Sequence, residues 1–457
     1  MPHLTPRKPL ERCAFRCLSF RVTASGRPLS AALELKLPAG KVIRVVGPAK
    51  VEVVSGRLLA VGSRYTAGSS FVVHRLRSYS AKALEPTRLR VLLGREAKVE
   101  EASPSEEVVD AWLSIAEQLI PSCRNSPCRI LVVGPPESGK TTIVAFLANY
   151  ARELGLRVSV VEGDVGQEDL LVPATVALAE VSKPILWLRE LEPLSFRFVG
   201  CISPQHCFTE SIVAVKDLVD EAVARGFSVV VVNTDGWVGS LSGIEHKLAL
   251  ARWIKPTHIV TLSEDLYEVF SRSYGNLCKV LHAPRPPAPR ERSREERREL
   301  RVQAYRKYIG RGRVRTLKLF NLSVLSLGAL VGRKLNLDEI RKQFNLPSEV
   351  LGSLLYVSKV LDTYYLVERG DSSSLRDATV GTGVQVLSVE CLRGLLVGIL
   401  DCRMRDVGVG TIVNVDFSTG DIAVQTPWEG EVCGLILGKV KLSESLEEVG
   451  GRVRCSQ

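Results

Sequence analysis

No stretch of this 457-residue chain is apolar for long enough to cross a bilayer. The best candidate, Leu322 to Val331, is short and is interrupted by serines and a glycine. The N-terminal MPHLTPRKPLERCAFR lacks the apolar centre of a secretory signal. These absences lead to the expectation of a soluble, intracellular protein with no membrane partner. Zinc-type spacing is missing too. Among eleven cysteines the close pairs Cys13/Cys17, Cys123/Cys128 and Cys201/Cys207 form neither a C-x-x-C nor a Cys/His array. Buried thiols are the expectation, with disulfides as the alternative. No internal repeat at a fixed period is visible.

What is present is an ordinary globular apolar fraction of 45% and a length that calls for two or three domains. The net charge of +11 is unevenly placed: between Arg285 and Arg315 twelve Lys/Arg face four Glu, so this segment carries +8. It reads either as a solvated helix with Glu/Arg pairs or as a surface for phosphate.

Short alternating segments from about Leu18 to Val99, such as Ala32–Leu37 and Val51–Val54, predict a β domain over 1–105. A helix is expected over Val108 to Leu119. Strands Arg129–Gly134, Val158–Glu162, Ser228–Asn233 and His258–Leu262 then alternate with helical stretches. The run of four valines at 229–232 is what a strand buried on both faces requires. The fold class is therefore α/β, a doubly wound phosphate-loop core over 106–315 flanked by β-rich N-terminal and C-terminal domains. The proline-rich Pro284–Pro289 leads into an arginine-rich lid at about 285–315. Glycine-punctuated strands such as Leu395–Leu400, Thr411–Phe417 and Ile422–Gln425 make 316–457 a third, β-rich domain.

Between the first core strand and its helix lies Gly134-Pro135-Pro136-Glu137-Ser138-Gly139-Lys140-Thr141-Thr142, a complete G-x-x-x-x-G-K-[ST]. Glycines let successive N–H groups face phosphate oxygens, the helix N-terminus adds partial positive charge, and Lys140 adds a full one. These nine residues are the candidate ATP site. The loop demands a triphosphate and does not itself read the base.

Four further motifs surround it: Glu162-Gly163-Asp164-Val165-Gly166-Gln167, Phe198–Pro204, Asn233-Thr234-Asp235-Gly236-Trp237-Val238, and the arginines Arg292 and Arg297, five residues apart. In this order they resemble the polynucleotide 5′-hydroxyl kinases of RNA processing, whose members act in mRNA 3′-end formation, tRNA splicing and pre-rRNA maturation. The second motif resembles the segment of that family that clasps the substrate. The segment here ends in Gln205-His206-Cys207 where some members carry an asparagine. The resemblance implies Mg²⁺-dependent transfer from ATP to the 5′-hydroxyl end of RNA, with DNA as an alternative acceptor and a nuclease or ligase as partner.

On that reading Lys140, Asp164, Arg292 and Arg297 are catalytic. Thr141 holds Mg²⁺, Asp164 shares the metal through water, and Asp235 ranks second for it. Asp164 is also the candidate for taking the proton of the attacking hydroxyl, its alternative being a plain strand-end Asx turn. Gln167, Ser203, His206 and Trp237 are the substrate candidates, Trp237 by stacking a base or, equally, as core. Two competing readings stand: a nucleotide-gated RNA-binding subunit without turnover, and an NTPase that drives assembly. The expected setting is the cytoplasm of a prokaryote, an archaeon foremost, or the nucleus and nucleolus of a eukaryote.

Overall fold

The computed structural model describes residues 16–18, 31–102, 107–286, 292–325, 328–344, 348–370 and 383–449. Cys13 and 287–291 of the proline-rich arm lie outside them.

The N-terminal part forms two antiparallel five-stranded sheets. Strand Ser78–Ala83 shows the logic: Tyr79, Ala81 and Ala83 are buried while Ser78, Ser80 and Lys82 are half-exposed. The period of two places Ser78 and Ser80 on a face turned away from that core. Asn149, fully buried, joins this part to the next, its Nδ2 donating to the carbonyls of Val61 and Ile185 at 2.7 and 2.6 Å.

The central sheet has seven strands: β1 (Cys128–Val133), β2 (Val158–Gly163), β3 (Thr175–Glu180), β4 (Pro193–Phe198), β5 (Val229–Thr234), β6 (His258–Thr261) and β7 (Lys279–His282). Their order is β4-β3-β2-β5-β1-β6-β7, parallel from β2 to β7, with β3 and β4 added antiparallel. Helices α1 (Val109–Leu119), α2 (Lys140–Glu153), α3 (Phe208–Ala224), α4 (Leu241–Ile254) and α5 (Glu264–Tyr274) pack around it, followed by α6 (Arg294–Tyr308). The connection after β1 leads to one side of it and that after β5 to the other, so the end of β1 is a switch point where ligands bind in such sheets.

The four core strands read from sequence are present. β3, β4 and β7 were not anticipated: the motif quoted at Phe198–Pro204 touches β4 only at that strand's last residue, and β7 is a four-residue edge. In the C-terminal part, a six-stranded sheet includes Leu395–Leu400, Asp406–Asp416 and Asp421–Thr426. A four-stranded sheet and three short helices between 328 and 353 accompany it, a helical content the sequence reading missed. No helix among the described residues is long and apolar enough to cross a membrane.

The expectation of buried thiols is corrected. Cys123–Cys128, Cys201–Cys207 and Cys402–Cys433 are disulfides, and Cys278 is free. A count of cysteines carries no distance, whereas the strand ends bring each pair together.

Asp406 marks the seam between the central and C-terminal sheets, its Oδ1 accepting the Phe198 N–H at 3.1 Å. Burial pushes its pKa up from 3.8 to about 6, against that hydrogen bond and Arg197. The folded chain therefore binds this proton more tightly than the unfolded chain, and stability falls as pH rises from about 4 to about 6. Asp406→Asn keeps the acceptor oxygen. It is expected to raise Tm at pH 7, relative to the parent, more than at pH 4; an equal shift at both values would refute the assignment.

Candidate active site

After β1 the chain turns through Gly134–Gly139, and Gly139, at a φ of 94°, caps α2. That conformation favours glycine, and a Cβ would also press on Trp112 and Pro286 at 3.3 Å, so that they would have to give slightly. On the other side, Gly236 lies so close that its Cβ would stand 2.7 Å from the Pro136 nitrogen. The loops after β1 and β5 are thus pressed together. Lys140 is buried and donates from Nζ to the Pro135 carbonyl at 2.8 Å. Burial lowers its pKa, while Asp164 and Asp235 pull it back up. Ser138 Oγ is buried with no protein partner, an unmet polar group in the loop whose sequence calls for phosphate.

Beneath the loop lies a residue pair that sequence reading missed. Glu162, fully buried at the end of β2, accepts hydrogen bonds from Asn233 Nδ2 at 2.8 and 2.9 Å and from the Asp164 N–H at 3.0 Å. Asn233 Nδ2 also reaches Thr141 Oγ1 at 3.4 Å. Burial pushes the Glu162 carboxyl well above the usual range, and Glu168 adds to the shift. Both residues stood inside quoted motifs; their burial, which sequence does not display, is what makes them a strut.

Asp164 Oδ1 accepts the N–H groups of Gly166 and Gln167, each at 3.0 Å, so the Asx turn is real. It uses one carboxylate oxygen and leaves Oδ2 for other work. Burial and Asp235 raise the Asp164 pKa; Lys140 and the two backbone N–H groups oppose them. Thr141 and Asp164 are hard oxygen donors of the kind Mg²⁺ prefers, and they fit that ion. Asp235 is otherwise engaged: both its oxygens accept from the buried Lys247, at 2.8 and 2.7 Å, and Oδ1 also takes the Trp237 N–H at 2.8 Å.

Lys247 lies 3.1 Å from His246 Nδ1. Burial, then Lys247, holds the His246 pKa down to about 4, so the ring is neutral at pH 7. With Lys247 donating to Nδ1, Nε2–H donates to Ser211 Oγ at 2.9 Å. Phe208 meets His246 and Trp237 edge-on, and Trp237 Nε1 donates to Ser240 Oγ at 3.0 Å. Trp237 is half-buried, held from behind by this cluster and open to the cleft in front.

Of the phosphate loop, Pro136 to Thr142 line one cleft of about 920 Å³ together with Asp164, Gln167, Ser203, Asp235, Trp237, Arg292 and Arg297, while Gly134 and Pro135 do not. His206 does not. It is exposed, its carbonyl accepts from Lys439 Nζ at 2.7 Å, and Gln205 faces the cleft instead. The lid helix α6 begins with a capping box between Ser293 and Glu296, and Arg297 pairs with Glu137 of the phosphate loop at 3.2 Å. Arg292 lies near Arg77 and Asp169; burial and the Arg77 charge lower its pKa, and Asp169 and Glu137 oppose them. Arg77, in the turn before strand Ser78–Ala83 of the N-terminal part, pairs with Asp169 at 3.1 Å, and Arg189 pairs with the other oxygen of Asp169 at 2.9 Å. Nothing near Arg77 in sequence announces that role, since Asp169 is 92 positions away.

A doubly wound sheet with a phosphate loop at its switch point, a buried lysine and an arginine lid defines a nucleotide-binding phosphate-loop protein. Residues 134–311 match the family described as mRNA cleavage and polyadenylation factor CLP1, P-loop. A polyribonucleotide 5′-hydroxyl-kinase of Pyrococcus horikoshii is 30% identical over 340 residues, 74% of this chain and 91% of that one. One from Methanocaldococcus jannaschii is 28% identical over 330 residues, 71% and 90% of the two chains. The chain belongs to this Clp1-type polyribonucleotide 5′-hydroxyl-kinase family. The solved structure of a wild-type Clp1p–Pcf11p complex shares the fold, with a TM-score of 0.62 at 14% identity over 90% of this chain and 98% of that one.

Removing Lys247 leaves Asp235 buried and unpaired. Lys247→Met is expected to lower stability by about 3–5 kcal/mol. Asp235→Asn/Lys247→Met should recover much of that loss in urea unfolding, and strict additivity of the two single changes would refute the pairing.

Proposed function

We propose that this chain is an ATP-dependent polynucleotide kinase that transfers the γ-phosphate of ATP to the 5′-hydroxyl end of RNA. The observation that carries the reading is the convergence of Lys140, Asp164, Arg292 and Arg297 on one cleft whose open side is lined by Gln167, Ser203 and Trp237. A site built only to hydrolyse nucleotide has no use for that second set of side chains.

Phosphoryl transfer needs two reactants in line and cover for the charge that spreads over the moving group. The N–H groups of the phosphate loop and the Ser138 hydroxyl bind the phosphates, and Lys140 leaves the Pro135 carbonyl for the β- and γ-oxygens. Arg297 exchanges Glu137 for the γ-phosphate, and Arg292 reaches it from the Asp169 side. Asp164 takes the proton of the 5′-hydroxyl as its oxygen attacks phosphorus and the bond to the β-phosphate oxygen breaks. Its raised pKa suits a base that must later give the proton up. Thr141 and Asp164 would hold Mg²⁺, which when bound neutralises charge between the β- and γ-phosphates. Trp237 offers a face for the terminal base, a contact open to any sequence and to DNA.

The test is transfer of labelled γ-phosphate to a short 5′-hydroxyl RNA and to the same sequence as DNA. Wild type is expected to label RNA only with Mg²⁺, and Asp164→Asn to abolish labelling. Arg297→Ala should bind ATP nearly as well as wild type with kcat down by roughly 10³. ATP binding without labelling of either strand would make the chain a nucleotide-gated subunit, and hydrolysis without transfer would make it an NTPase.

A further inference from the structure

The loop that faces the acceptor side of the cleft is closed by a covalent bond. Cys201 follows β4 and Cys207 caps α3, each only 2% exposed, with their Cα atoms 6.4 Å apart and their sulfurs bonded. Between them Ile202, Ser203, Pro204 and Gln205 line the cleft that holds the phosphate loop and Asp164. The Ser203 carbonyl oxygen lies 3.1 and 3.3 Å from the two sulfurs, beneath the turn. The turn itself has only two backbone hydrogen bonds, His206 N–H to Ser203 O at 3.0 Å and Cys207 N–H to Pro204 O at 3.2 Å. Its outer side is tied to the C-terminal sheet, where the Lys439 N–H donates to the Gly200 carbonyl at 2.6 Å and Lys439 Nζ to the His206 carbonyl at 2.7 Å.

We propose that the Cys201–Cys207 disulfide is a positioning device for the acceptor: it holds Ser203, Pro204 and Gln205 in the shape that receives the 5′-hydroxyl end of the polynucleotide. The proposal rests on the kinase reading for the identity of the acceptor. Its physical basis is independent of that reading. A ring closed by so short a span has few conformations, so the ordering of this loop is completed before the acceptor arrives and is not charged against binding. The phosphate loop and Lys140 are outside the ring and belong to the nucleotide half of the cleft. The bond therefore governs acceptor binding and leaves nucleotide binding alone. Breaking it with a dithiol passes two electrons and two protons to the cystine, giving two thiols and the oxidised, cyclic reductant.

Two measurements test this on the full chain. In the labelling assay, reduction with dithiothreitol is expected to raise KM for the RNA end roughly three- to tenfold, the range expected when one or two side chains must be ordered on binding. The KM for ATP and kcat should stay within about twofold, a split that general loosening of the fold would not produce. Cys201→Ser/Cys207→Ser should show the raised KM without reductant and no further response to it. Cys123→Ser/Cys128→Ser, which removes a disulfide on the far side of β1, should keep the full response. An unchanged KM for RNA in the reduced protein and in the Cys201→Ser/Cys207→Ser variant would overturn the proposal. The second measurement needs no activity: hydrogen exchange of the His206 and Cys207 amides should quicken on reduction in wild type, and unchanged protection would overturn the proposal by itself. Absence of labelling under every condition with quickened exchange would sink the kinase reading and leave the loop's covalent ordering standing.

Discussion

Everything in the cleft depends on a carboxyl group that water does not reach. Glu162 sits under the phosphate loop, where burial disfavours its charged form, and its oxygens are satisfied there by Asn233 and the Asp164 N–H. Those bonds join the ends of β2 and β5, the two strands that carry the residues on either side of the loop. Through Asn233 they also reach Thr141, the first residue after the loop's lysine. The position of Asp164 is thus fixed twice, from its own N–H by Glu162 and from its carboxylate by the turn at Gly166 and Gln167. In the transfer proposed above, Asp164 would meet the hydroxyl with that rigidity already in place.

Charge is arranged around this strut in layers. Lys140 and Lys247 are both buried, yet each is answered differently: Lys247 is matched by Asp235 in a closed pair, whereas Lys140 has only a carbonyl and distant carboxylates. One lysine is structural and the other is available. The same division appears among the arginines. Arg189 and Arg77 are spent on Asp169, while Arg292 lies at the edge of that cluster and Arg297 rests on a half-exposed pair with Glu137, a contact weak enough to exchange.

The nucleotide half of this site was legible because its chemistry is local. A phosphate loop needs its glycines, lysine and threonine in one short run, and the helix that follows begins at Lys140, where Gly139 supplies the cap. The central parallel strands were legible for a similar reason, since a run such as Val229–Val232 has no alternative but burial. What escaped was non-local. Arg77 joins the cleft from a turn of the N-terminal part, Lys247 meets Asp235 across a loop and a helix turn, and the pairing of Cys201 with Cys207 depends on where β4 ends and α3 begins. His206 is the converse case: a residue within a motif whose neighbour Gln205 points the useful way. The +8 segment was read as solvated helix or phosphate surface; residues 294–308 form α6, whose first turn brings Arg297 to Glu137 of the phosphate loop while Arg301 further along pairs with Glu448.

That division has a mechanical side. Arg301 and Tyr305 of α6 grip Glu448, the Arg298 guanidinium donates to the Glu448 carbonyl, and Arg298 and Arg306 approach Glu447. The lid helix is therefore fastened along its length to the loop that follows the last strand of the C-terminal sheet, and only its first turn, with Arg297, reaches the phosphate loop. It behaves as a lever with its far arm clamped. Whatever takes hold of residues 443–448, a neighbouring protein or an appended tag, takes hold of the helix that carries Arg297 to the phosphate loop.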